Sequence, residues 1–176
     1  MIVAGIDLAA KERNTTGVCI LSDRPRCLSV KTDEEIVENV IGGGAKVIAI
    51  DAPLTEGEPF RDGEKALIHR GFRPLPTSME SMRTLRARAE RIKTALSLRG
   101  ALVIETFPSA FRHPILDVKM VRKRLGIKNR HERDAFLCAL VARAYIEGAA
   151  EKLGSKDPIY VVDKAYVEEW VRRLLG

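Results

Sequence analysis

The chain has 176 residues, 45% apolar and 31% charged, and carries a net charge of +6 from 30 basic and 24 acidic side chains. This length and apolar content exclude a disordered chain and permit a substantial core without disulfide or metal staples. No apolar run approaches the roughly 20 residues needed to span a bilayer. Met1–Gly5 reaches Asp7 too soon for a signal peptide, so the expected location is the cytoplasm. Cys19, Cys27 and Cys138 are odd in number and lack CxxC spacing, which argues against disulfides and structural zinc. The absence of glutamine from an arginine-rich chain points towards a thermophilic source.

Ile2–Asp7 reads as a short buried strand that ends on a carboxylate. Thr16–Leu21 and Arg26–Val30 then predict a hairpin around Asp23-Arg24-Pro25. Thr32 and Glu35 form a capping box for a helix with Ile36, Val37, Val40 and Ile41 on one face, stopped by Gly42-Gly43-Gly44. Lys46–Asp51 is the next strand, expected to return parallel to the first. Residues 52–78 form a loop-rich insertion, with a short helix near Arg61–His69. Thr77 and Glu80 are read as caps of a long helix whose apolar stripe is Met79, Met82, Leu85, Ala89, Ile92 and Leu96.

Ala101–Glu105 is another buried strand, followed by a basic linker. Asn129 and Glu132 cap a helix over Arg130–Glu147, whose centre, Ala135–Ala142, is apolar on every side and therefore buried. A strand at Ile159–Val162 and a helix over Ala165–Leu175 close the chain. No boundary divides it, so residues 1–176 are expected to form a single α/β domain.

Three of these strands stop on an acid: Asp7, Asp51 and Glu105. In a parallel sheet such ends share one edge, where open α/β sheets place their sites. Asp134 sits near the start of the buried helix, beside apolar surface that makes an unpaired carboxylate expensive. Converging acids repel one another, and a divalent cation relieves that repulsion. Carboxylate and water ligands suit Mg²⁺ or Mn²⁺. Two such ions suit in-line attack on a phosphodiester, one activating water and the other steadying the leaving oxygen. His131 lies three residues before Asp134 on the same helix face, as a metal ligand, a general base or a proton carrier.

The charge is unevenly spread. Residues 61–99 hold ten basic and four acidic side chains and residues 112–133 hold eight and two, so the remainder is acidic. This polarity suggests an anionic partner, nucleic acid first. Arg83, Arg86, Arg88 and Arg91 of the long helix and the Arg122-Lys123-Arg124 cluster are the candidate phosphate contacts. Aromatic residues are not interleaved with them, which argues against a base-stacking platform.

The order of elements, with an Asp on the first strand, another on the fourth and a third on a late helix, resembles the RNase H-like fold. His131-Glu132-Arg133-Asp134-Ala135 is similar to the terminal-helix motif of RuvC-type resolvases. Gly5-Ile6-Asp7, Ile50-Asp51-Ala52-Pro53, Arg61 through Glu64, Ile104-Glu105-Thr106-Phe107-Pro108 and Asp134-Ala135 also resemble the domain-of-unknown-function 429 family of predicted nucleases. The resemblance implies a mixed sheet of about five strands flanked by helices, with an extra C-terminal strand and helix. It also implies a metal site at Asp7, Asp51 and Asp134. Glu105 is an added acid that ligates metal, orients water or shapes the site. The expected function is metal-dependent hydrolysis of nucleic acid. The alternatives are a non-catalytic binding or scaffold protein that keeps the fold, and a hydrolase of a small phosphorylated metabolite. Oligomeric state stays open, a homodimer included.

Overall fold

The computed structural model describes residues 1–176. One seven-stranded sheet runs through the molecule, in the order β3-β2-β1-β4-β5-β7-β6. Its strands are β1 (Val3–Asp7), β2 (Thr16–Leu21), β3 (Pro25–Val30), β4 (Val47–Ile50), β5 (Leu102–Thr106), β6 (Glu151–Leu153) and β7 (Ile159–Val161). β1, β4, β5 and β7 pair in parallel, and β2, β3 and β6 are added through antiparallel pairings. The sheet is therefore wider than the five strands and one C-terminal addition expected. The strand the sequence hides is β6: three residues, Glu-Lys-Leu, carry too little apolar patterning to be seen.

Alternation along the strands divides the core into two layers. Val3, Val47, Ala49 and Ile104 face α5 (Arg130–Glu147), α4 (Lys119–Leu125) and α6 (Lys164–Leu175). Ala4, Ile6, Ile48, Ile50 and Val103 face α1 (Asp33–Gly42) and α3 (Glu80–Ser97). Each fully buried Ile, Leu or Val in these layers contributes about 1.5–3 kcal/mol. Thr32 and Glu35 do form the capping box of α1, a cap worth about 1 kcal/mol. The insertion contains α2 (Asp62–His69).

Two local readings need correction. Thr77 does not cap α3: its hydroxyl donates to the Gly57 and Pro59 carbonyls and closes the insertion, while Met79 takes the N-cap position without a side-chain bond. The basic linker holds structure of its own, with short 3-10 turns at Pro108–Ala110 and Pro114–Asp117 followed by α4.

α5 lies almost on the backbone of the sheet. A Cβ placed on Gly5 would fall on the Ala135 carbonyl and the Ala139 amide, and 2.7 Å from Cys138 Cβ. One on Gly17 would fall on the His131 carbonyl. The obstacles are backbone atoms of a helix and cannot swing aside. Gly5→Ala therefore forces α5 away from β1 and lowers stability by about 1–3 kcal/mol. At this chain length that is a melting-temperature loss of about 3–10 °C, readable by thermal denaturation. A Gly5→Ala variant that melts with the wild type would show that α5 does not sit this close.

Candidate active site

Register decides which acids meet. β1 and β4 pair with Ile6 opposite Ile50, so Asp7 and Asp51 follow at equivalent positions on adjacent parallel strands. The Asp51 amide donates to the Ile6 carbonyl at 2.9 Å, holding the two ends together. Both residues share the parity of Gly5 and Ala49, the positions that face α5. That helix brings His131 and Asp134 over the same edge. His131 Nδ1 lies 2.8 Å from Asp7 Oδ2. Arg130 Nε points at His131 Nε2 at 3.5 Å, an arrangement that suits the tautomer with the proton on Nδ1.

Glu105 is one residue out of step. Its partner across β4 is Ile50, not Asp51, and a shift of one residue turns a side chain to the other face of a sheet. There its carboxylate accepts from Arg61 Nη1 at 2.9 Å and from the Leu54 amide at 3.0 Å. Arg61 also grips Glu64 and donates to Thr55 Oγ1 at 2.8 Å. All three ionic side chains are buried. Burial works against the Arg61 charge, but Glu105 and Glu64 outweigh it and raise its pKa further. Glu105 is raised chiefly by burial, against the pull of Arg61. With both oxygens engaged, Glu105 is not placed as a metal ligand. Arg61 and Glu64, which spacing alone suggests to be a surface pair, are the interior tie between α2, β5 and the segment after Asp51.

The electrostatics at the α5 edge are those of crowded acids. Burial raises the Asp51 pKa well above the carboxylate range, and the charges of Asp7, Asp134 and Glu105 raise it further. No hydrogen-bond donor offsets this, and only the Arg112 charge acts the other way. Asp7 is raised by burial and by Asp134, while the hydrogen bond from His131 opposes the rise. Asp134 accepts from Arg112 Nη2 at 2.8 Å and Arg133 Nε at 3.0 Å. Arg112, Arg130 and Arg133 were not among the site residues expected. The proximity of Arg130 and Arg133 to His131 and Asp134 in sequence was the available signal, whereas Arg112 arrives only by folding.

No three His, Cys, Asp or Glu side chains form one ready ligating cluster. The donor chemistry nonetheless fits a hard divalent cation. Asp51 is an unpartnered, half-buried carboxylate with Asp7 and Asp134 as charged neighbours. Asp7, Asp51 and Asp134 are the residues that would hold it, in competition with Arg112 and Arg133 for Asp134. Beside them, Asp7, Arg13, Asn14, Arg130 and His131 line a cavity of about 470 Å³.

The expected phosphate contacts fare unevenly. Arg88 is 1% exposed and donates to Asp33, to the Ala9 carbonyl at 2.7 Å and to the Lys31 carbonyl at 2.6 Å, so it is an internal strut rather than a surface contact. Arg86 pairs with Glu56 and Glu90, Arg83 with Glu58, and Arg91 with Asp33. Lys123 and Arg124 on α4 are exposed, and Arg122 is half-buried. The arginines of α3 and the α4 cluster also lie on opposite sides of the sheet, since α3 packs in one core layer and α4 in the other.

No family model matches the chain, including any for the domain-of-unknown-function 429 family, and no curated protein matches it. Among solved structures it is similar to Thermus thermophilus RuvC in complex with a Holliday junction substrate. Identity there is 18% and the TM-score 0.54, over 92% of this chain and 100% of that one. A second T. thermophilus RuvC structure gives 16% identity and a TM-score of 0.53, with the same coverage of both chains. The fold is RNase H-like. Within that fold, β1, β4 and α5 bring Asp7, Asp51, His131 and Asp134 to one edge of the sheet, and no helix is long and apolar enough to cross a membrane.

Proposed function

We propose that this RNase H-like chain is a divalent-metal-dependent nuclease. The observation that carries the reading is that Asp7, Asp51 and Asp134 lie along one sheet edge near enough to repel one another, with Asp51 left without a donor. The similarity to RuvC, a protein captured on a DNA junction, supports nucleic acid as the substrate class. Mg²⁺ or Mn²⁺ held by these acids would supply an activated water and a counter-charge for the leaving oxygen. The protein's own part is to position and to hold charge. Asp7 keeps the His131 ring oriented through Nδ1, and Nε2, which Arg130 reaches only at 3.5 Å, would accept a proton once that long contact gives way. Arg13 and Arg130 line the same cavity and would hold phosphate oxygens by charge, independent of sequence. Exposed Lys123 and Arg124 extend that grip on the α5 side.

The ties of Asp134 to Arg112 and Arg133 favour one second reading, a nucleic-acid-binding protein that keeps the fold without cleaving. Mn²⁺ titration followed by cleavage assays on single-stranded, duplex and branched DNA and RNA separates the two. A native-state ligand at about a hundred times its Kd adds roughly 2.7 kcal/mol, a melting-temperature rise of about 5–10 °C at this size. That rise, with cleavage abolished by chelation, is the result expected of the nuclease. Salt-sensitive binding with neither a rise nor cleavage would establish the second reading.

A further inference from the structure

Two thiols outside the carboxylate site face each other across the sheet edge. β2 and β3 pair antiparallel with Cys19 directly opposite Cys27, and their sulfur atoms are 2.9 Å apart. Residues opposed in this way have Cα atoms about 4.5–5.5 Å apart, inside the roughly 4.4–6.8 Å that a disulfide spans. Cys19 is fully buried, Cys27 is half-buried, and Cys138 lies in the core away from solvent. The odd number of cysteines is thus a pair plus one, a division that spacing in the sequence does not reveal.

We propose that Cys19 and Cys27 are an oxidisable pair that closes into a cross-strand disulfide when the protein meets a peroxide. The Cys27 thiolate, the less buried of the two, attacks a peroxide oxygen, the O–O bond breaks, and Cys27 becomes a sulfenic acid. Cys19 sulfur then attacks the Cys27 sulfur, the S–OH bond breaks, and the Cys19 proton leaves with the hydroxide as water. Two thiols lose two electrons and two protons, and hydrogen peroxide is reduced to two waters. Burial, followed by the Cys27 hydrogen bond, raises the Cys19 thiol well above its ordinary pKa, which makes Cys27 the entry point and Cys19 the resolving thiol.

The bond would fasten an edge strand that supports the carboxylate site. The Ser29 hydroxyl on β3 donates to Glu132 at 2.9 Å in the first turn of α5. Gly17 on β2 lies against the His131 carbonyl. The pair therefore sits in the two strands on which the start of α5 rests.

The experiment exposes the purified full chain to a small excess of hydrogen peroxide, then counts thiols after denaturation and maps the linked peptides. Thiols should fall from three to one, with Cys138 remaining free and the Asn14–Arg26 tryptic peptide joined to Cys27–Lys31. The melting temperature should rise by roughly 4–8 °C and fall back on reduction. Cys27→Ser changes a half-buried position, and its two remaining thiols should survive the same treatment with no rise. Three free thiols after treatment would overturn the proposal. So would over-oxidised Cys27, or dimers linked through Cys27, with Cys19 still reduced.

Discussion

Asp51→Asn should raise the melting temperature in the absence of divalent cations while lowering nucleic-acid cleavage by more than about 100-fold. The activity loss is set by comparison, since even partners behind a metal ligand cost about 10–100-fold when removed. The stability gain follows from the charge. Asp51 is half-buried near the charges of Asp7, Asp134 and Glu105, and its folded pKa lies well above the ordinary carboxylate value. The folded protein thus binds this proton more tightly than the unfolded chain does. Stability from this site is greatest at low pH, falls as pH rises from the unfolded value through the folded one, and is fully lost above it. Asparagine carries no such penalty. The variant should match the wild type in acid and melt above it near neutrality. Thermal melts across pH with a chelator present make the comparison. A variant that melts lower at neutral pH would mean that donors, not repulsion, govern Asp51.

Arg61→Met should be the most damaging of the single changes to stability. It leaves Glu64 and Glu105 buried beside one another with no cation between them. Breaking a buried ion pair from one side costs about 3–5 kcal/mol, roughly 6–20 °C for a chain of this size. Neutralising the two acids as well, in Arg61→Met with Glu64→Gln and Glu105→Gln, should recover much of that loss. The cost lies in the uncompensated charge more than in the missing contacts. Because Glu105 also accepts from the Leu54 amide, Arg61→Met should loosen the segment after Asp51 and reduce cleavage beyond what the lower melting point explains. Denaturant unfolding of the single and triple variants tests this. A single variant within about 1 kcal/mol of wild type would show that water reaches and solvates the triad.

Where the cause of a feature is local, the residues disclose it. The Thr32–Glu35 capping box and the helix from Arg130 to Glu147 appear as read, because caps and an all-apolar run act within a few positions of themselves. Asp7 and Asp51 were visible as carboxylates at strand ends for the same reason. Glu105 looked identical to them in sequence. Its separation comes from the pairing of Ile50 with Glu105, an offset of one residue that only strand register sets. The arginines of α3 show the same limit. Composition counts their charge, but Arg88 is spent inside the fold on Asp33 and two carbonyls.

The net charge of +6, an α/β pattern of elements and the small set of acids at strand ends and at the start of the buried helix follow from the amino-acid order alone, because each is a property of composition or short-range periodicity. Tertiary structure decided which acids come to the same sheet edge, which arginines pair with them and which cysteines meet. Those outcomes depend on register between strands and on how closely α5 descends onto Gly5 and Gly17. Some of these contacts join residues more than a hundred positions apart, His131 to Asp7 among them. No local preference encodes them, since they exist only once the two core layers have packed.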